Sequence, residues 1–304
     1  MFVCESDRVF LTLKVGKLDM DSIASGGILN GAAPVLILLV LGSPAAALNA
    51  KPHNLLEKLA WCNGVDRTSP ELQITGCTAI IDLGGHTPAA AIAYNNRGNA
   101  YAEKADYDRA VRDFDESIKL DPNNPKPFNN RGVIYLKRGE YALAIKNLDE
   151  AIRLNPNYVK AFVSRAEAHQ KRNEYDRAAQ DYDEAIRLDP NVKAVWNERC
   201  WARAMLGEFQ AALEDCNKAL QSEPNNAAIY DSRALIYLKM GQVGAAIDDY
   251  SSALQLDPKL ATALYGRGLA KLKQGDTAGS ENDISAAKTI QPNVGHDFAR
   301  YRVK

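Results

Sequence analysis

Residues 91–124 read AIAYNNRGNAYAEKADYDRAVRDFDESIKLDPNN, and residues 125–158 read PKPFNNRGVIYLKRGEYALAIKNLDEAIRLNPNY. Set one above the other, they align place by place without a gap. The same offset of 34 carries Pro122 onto Pro156, Pro190, Pro224, Pro258 and Pro292. It carries Ala110 onto Ala144, Ala178, Ala212, Ala246 and Ser280, and Phe114 onto Leu148, Tyr182, Cys216, Tyr250 and Ile284. Near the front of each unit stands a large residue (Tyr94, Phe128, Phe162, Trp196, Tyr230, Leu264), followed four places later by a small one (Gly98, Gly132, Ala166, Cys200, Ala234, Gly268). The repeated units are therefore 91–124, 125–158, 159–192, 193–226, 227–260 and 261–294.

Inside the first unit, apolar or small residues recur at Tyr94, Gly98 and Tyr101, then at Ala110, Phe114, Ser117, Ile118 and Leu120. That three-to-four spacing belongs to an amphipathic helix, and it is stated twice around a break at Ala105–Asp106. Later units hold Gly139, Asn173, Gly207, Gly241 and Gly275 at the break, residues that tolerate a left-handed backbone after a helix. Asp121-Pro122 and its echoes stop the second helix, because Pro can neither continue it nor leave its predecessor helical. Each unit is thus a hairpin of two helices of about 13 residues, each about 20 Å long. Small residues let the two helices approach, while the large ones fill the space between hairpins. One hairpin cannot bury both faces, so stability has to come from stacking.

This spacing of aromatic, small, Tyr, Ala, aromatic and Pro places resembles the tetratricopeptide repeat. The resemblance implies an all-α, right-handed solenoid of stacked antiparallel hairpins. It further implies a non-catalytic scaffold that holds a peptide or a partner helix in a groove lined by the first helices. A structural or assembly role, with the groove filled by self-association or by the chain's own terminus, is the alternative.

The groove-facing places of the first helices are Asn95, Asn96, Asn99, Lys126, Asn129, Asn130, Val133, Lys137, Lys160, Ser164, Glu167, Lys171, Asn197 and Trp201. Asn is a mediocre helix former, so its clustering in the first two units asks for a reason. Side-chain amides along a groove can pair both polar groups of an extended peptide backbone, which expects Asn96 and Asn130 at the surface. Of the family's carboxylate-clamp places, Asn99, Asn130 and Lys160 match, whereas Asn95 stands in place of Lys and Ser164 in place of Arg. Where the family pattern usually has Leu, this chain has Arg97, Arg131, Arg165, Arg199, Arg233 and Arg267. Sixteen residues on come Asp113, Asn147, Asp181, Asp215, Asp249 and Asp283. Because the partner recurs with the Arg, an internal pair in each hairpin is favoured over a ladder of Arg residues facing a ligand.

Outside the repeats, residues 1–47 differ in kind. A short apolar run from Ala32 to Leu41, then Gly42-Ser43-Pro44 and Ala45-Ala46-Ala47, reads as a signal peptide cut after Ala47. The run is short of the roughly 20 residues of a comfortable membrane span. Its charged flank mixes Arg8, Lys14 and Lys17 with Glu5, Asp7, Asp19 and Asp21, and Met20 is a second possible start. An uncleaved anchor from about Ile28 to Leu48 is the other reading, and would make the protein membrane-attached. Export predicts a periplasmic or secreted protein. Residues 48–90 form a degenerate N-terminal cap hairpin, with helices over Leu55–Cys62 and Leu72–Ile81 and a breaker at Gly84-Gly85. Residues 295–304, with Phe298, Tyr301 and Val303, form a tail that caps the sixth unit.

Four cysteines follow the leader, Cys62, Cys77, Cys200 and Cys216, in two close pairs. Cys200 and Cys216 lie eight residues before and after their hairpin turn, so they stand at equal height, and Cys62 and Cys77 flank Thr68-Ser69-Pro70 similarly. Disulfides Cys62–Cys77 and Cys200–Cys216 are expected. Neither pair has metal-ligand spacing, and no cofactor is called for. His53, His86, His169 and His296 are scattered, and the chain has no His-Glu-x-x-His, phosphate loop or Gly-x-Ser-x-Gly. The reading is of a protein that is not an enzyme. Lys plus Arg is 37 and Asp plus Glu is 38, a balance that gives no field for nucleic acid.

Overall fold

The computed structural model describes residues 52–65 and 68–301. The expected leader over 1–47 and the tail residue Val303 lie outside them. Fifteen helices and no strand are found among the described residues. They are α1 (Pro52–Cys62), α2 (Pro70–Gly84), α3 (Pro88–Glu103), α4 (Tyr107–Leu120), α5 (Pro125–Lys137), α6 (Tyr141–Leu154), α7 (Val159–Lys171) and α8 (Tyr175–Leu188). Then come α9 (Lys193–Leu206), α10 (Phe209–Ser222), α11 (Ala227–Lys239), α12 (Val243–Leu256), α13 (Ala261–Gln274), α14 (Thr277–Ile290) and α15 (Val294–Arg300). The protein is an all-α solenoid of helical hairpins. It divides into two compact units, one ending at Tyr158 and the other beginning at Val159.

Capping chemistry sets the helix starts. Ser69, Thr87, Asp106 and Asn124 accept a backbone N–H from the first turn that follows them, and Pro70, Pro88 and Pro125 sit where the missing N–H costs nothing. Helix α2 runs to Gly84, beyond the expected end at Ile81; Gly85, at φ 52°, stops it. Every turn between the two helices of a repeat carries a left-handed residue: Ala105, Gly139, Asn173, Gly207, Gly241 and Gly275. Ala105 is the costly member, since a Cβ crowds that conformation.

Each hairpin closes by a small residue meeting a large one. A Cβ on Gly98 would lie 2.7 Å from Phe114 Cε1, and one on Gly132 would lie 2.8 Å from Leu148 Cγ. In the fourth hairpin the same two places are Cys200 and Cys216, whose Cα atoms are 5.4 Å apart with the sulfurs paired and fully buried. Cys62 and Cys77 pair likewise across α1 and α2, with Cα atoms 4.5 Å apart.

The Arg row is internal. Arg97, Arg165, Arg199, Arg233 and Arg267 each donate two parallel bonds to the Asp sixteen residues on, and Arg131 donates to Asn147 Oδ1 at 2.7 Å. A third donor reaches back to the preceding hairpin: Arg199 Nη1 to Asp183 at 2.6 Å, and Arg233 Nη1 to Asn217 at 2.6 Å. Arg199 and Arg233 thus each tie their own hairpin shut and hold the one before it. Five of the six also lie over the aromatic ring three residues earlier, from 4.8 Å at Trp196 to 5.7 Å at Phe128 and Tyr230. Lys271 joins Arg267 on Asp283 at 2.8 Å. Burial alone would raise the Asp283 carboxyl, but the two cations donating to it hold it below its usual range.

Candidate functional site on the first helices

The Asn cluster is not where the sequence placed it. Asn95 and Asn96 are wholly buried, and Asn99, Asn129 and Asn130 are at most 7% exposed. They form a ladder: Asn130 Nδ2 donates to Asn95 Oδ1 at 3.0 Å, Asn95 Nδ2 to Asn96 Oδ1 at 3.3 Å, and Asn96 Nδ2 to the Cys62 carbonyl at 3.2 Å. Asn129 Nδ2 joins from the next first helix, donating to Asn130 Oδ1 at 3.2 Å. The expectation of surface positions for Asn96 and Asn130 is therefore corrected. A first helix in a stack faces its own partner helix and also the first helix of the next hairpin, so the strip between neighbouring first helices is closed to solvent. The Cys62 carbonyl stands at the end of α1, and the side-chain N–H groups of Asn96 and Gln73 donate to it.

Other expected positions remain accessible. In the unit ending at Tyr158, Lys126 is half-buried and Lys137 exposed. In the unit beginning at Val159, Lys160 and Lys171 are exposed while Ser164, Asn197 and Trp201 are half-buried. The Oδ1 of Asn197 is buried with no hydrogen-bond partner among the described residues. One hairpin on, the same place is Asp231, whose carboxyl burial pushes up to about 6 even as Thr262 Oγ1 donates to it at 2.7 Å.

Trp201 leads to the most developed surface. The ring of Tyr301, just after α15, meets it edge-on at 4.9 Å. Phe298 stands 5.0 Å from Tyr265 on α13 and 5.7 Å from Tyr301. Val294 and Phe298 are buried in one cluster with Leu235, Leu238 and Leu264, flanked by Trp201, Met205 and Leu269. The short α15 packs on α13 and α14 of the sixth hairpin, and the residue after it reaches back to α9 of the fourth. Beside Tyr301 opens a cavity of about 590 Å³, walled by the apolar Trp201 and Met205, by Tyr175, and by the cations Lys171, Lys239 and Arg300. Such a volume is in the range of ligand sites, and its mix of aromatic walls and a few charges suits a protein side chain or short segment.

Lys171 and Trp201 were legible as groove places from the first helix alone. Met205 and Lys239 share the register of Lys137 and Lys171 at steps of 34, so the repeat itself carried the signal for them. Tyr175 gave none, because its place is a large framework residue in most units. That Tyr301 reaches α9 depends on a chain reversal after α14 that no periodicity encodes.

Tetratricopeptide repeat family profiles match residues 91–124, 129–193 and 163–227, and a further TPR repeat profile matches 234–275. The chain is a member of the tetratricopeptide repeat family. No curated protein matches it. Among solved structures, a tetratricopeptide repeat protein from Parabacteroides merdae aligns over 82% of this chain and 98% of its own, at 18% identity and a TM-score of 0.61. Pseudomonas aeruginosa pilF aligns over 69% of this chain and 96% of its own, at 17% identity and a TM-score of 0.57. A MamA fragment from Desulfovibrio magneticus covers 56% of this chain and 96% of its own, at 20% identity and 0.51. At these identities the likeness is one of fold.

Proposed function

We propose that this protein is an exported, non-catalytic adaptor that holds a peptide or a helix of a partner protein on the first helices of its last four repeats. The observation that carries the reading is the surface around Trp201: an aromatic and aliphatic floor, bordered by Lys171, Lys239 and Arg300, next to a cavity of about 590 Å³. Aromatic residues at the centre of a patch with charges at its edge are the usual anatomy of a protein interface. The groove places suggested by the sequence run through the first four repeats, and burial of the Asn ladder favours those of the third and fourth. Export rests on the leader and on the two cysteine pairs, which belong to an oxidising compartment. The experiment is site-specific photo-cross-linking in cells that make the protein. A cross-linker at Lys171 should label a discrete partner, and one at Arg187, exposed on α8, should not; equal labelling from both positions would overturn the reading.

A further inference from the structure

We propose that the first helices of the fourth, fifth and sixth repeats form a seat for a short amphipathic helix, and that the chain's own C-terminal helix α15 occupies it. A partner would bind by displacing this tail. The occupant shows what the seat accepts: an aliphatic residue, Val294, then aromatic residues four and seven places later, Phe298 and Tyr301. Val294 and Phe298 are buried, and Tyr301 rests on Trp201 two repeats back from the last hairpin. The inference rests on the adaptor reading and specifies the class of its partner, an amphipathic helix with that apolar spacing.

A simple end cap does not account for the tail. A cap would cover the apolar residues that the last hairpin leaves open, yet Leu272 stays 51% exposed and Ile290 46% exposed. The aromatic residues of the tail turn inward instead. A helix of seven residues has no stability of its own in water, so α15 holds its shape only while docked. Its tether through Gln291 and Pro292 gives it a high effective concentration at the seat, which a free helix has to overcome. Release and capture are then two occupancies of one surface, and the apparent affinity of a partner scales with the fraction of molecules whose seat is empty.

The test uses the full chain and, as probe, a fluorescein-labelled synthetic peptide of residues 290–304, titrated by fluorescence anisotropy. The double substitution Phe298→Ala with Tyr301→Ala empties the seat, and the peptide should then bind roughly tenfold or more tightly than to the unaltered chain. Adding Trp201→Ala to that background should abolish the gain. Circular dichroism checks that the helices persist; if the double variant unfolds, Tyr301→Ala alone, at a half-buried position, should shift affinity in the same direction by less. Equal affinity for all chains, or no binding to a folded variant, would sink the proposal. So would a dimer that dissociates in the tail variant, since it would place a second copy's tail in the seat. The probe is the chain's own segment, so failure here leaves the adaptor reading intact, and cross-linking from Lys171 decides that one separately.

Discussion

Asn130 sits in the middle of a chain of amides, giving one hydrogen bond to Asn95 Oδ1 and taking another from Asn129 Nδ2. With Asn95 wholly buried, no water can replace a lost partner. Asn130→Ala should therefore cost on the order of 1–3 kcal/mol, because it leaves an acceptor and a donor unpaired inside the stack. Thermal unfolding checks this against Lys137→Ala, an exposed position on the same helix that should change little. A barely shifted Tm for Asn130→Ala would mean that the ladder is wet and its amides are free for a ligand. The side chain is fixed by Asn95 of the preceding hairpin and by Asn129 beside it, which explains why a mediocre helix former stands at a helical place.

Among the elements, the hairpin is closed and registered by its Arg–Asp pair. Arg165 donates both Nε and Nη2 to Asp181, at 2.8 and 2.6 Å, with the Asp side chain only 9% exposed. Arg165→Leu strands that carboxylate, and should lower stability by about 2–4 kcal/mol while leaving partner binding unchanged. Replacing both residues with Leu removes the stranded charge and should recover most of the loss. The measurement is a double-mutant cycle in urea unfolding. If the double substitution is as damaging as the single one, the guanidinium works mainly through its place over the Phe162 ring. The Arg row also accounts for the absence of Leu at this place, since a fork with three bonded donors can serve two hairpins at once.

At the scale of the whole molecule, the cysteine pairs brace a repeat chain whose stability is summed over contacts between neighbouring hairpins. Each pair closes a loop of about 15 residues, which the loop-entropy account values at about 3 kcal/mol. Exported protein, denatured without reductant, should therefore show no reactive thiol in the chain from Leu48 onward, and four thiols would refute the pairing. By itself the sequence determined the fold class: the period of 34 fixed hairpin length, turn positions and the pairing of Arg with Asp. Those are contacts within one unit, or repeated identically between units, so spacing alone encodes them. It also placed Cys200 opposite Cys216, because equal distance from a turn is a one-dimensional fact. Only the tertiary structure decided that Asn96 and Asn130 are buried, since a helix wheel shows which face a residue shares but not which neighbour covers it. Only the tertiary structure, too, brought Tyr301 to Trp201. That contact spans 100 residues, and it forms because a terminal segment outside the repeat buries its aromatic rings on the nearest apolar surface available.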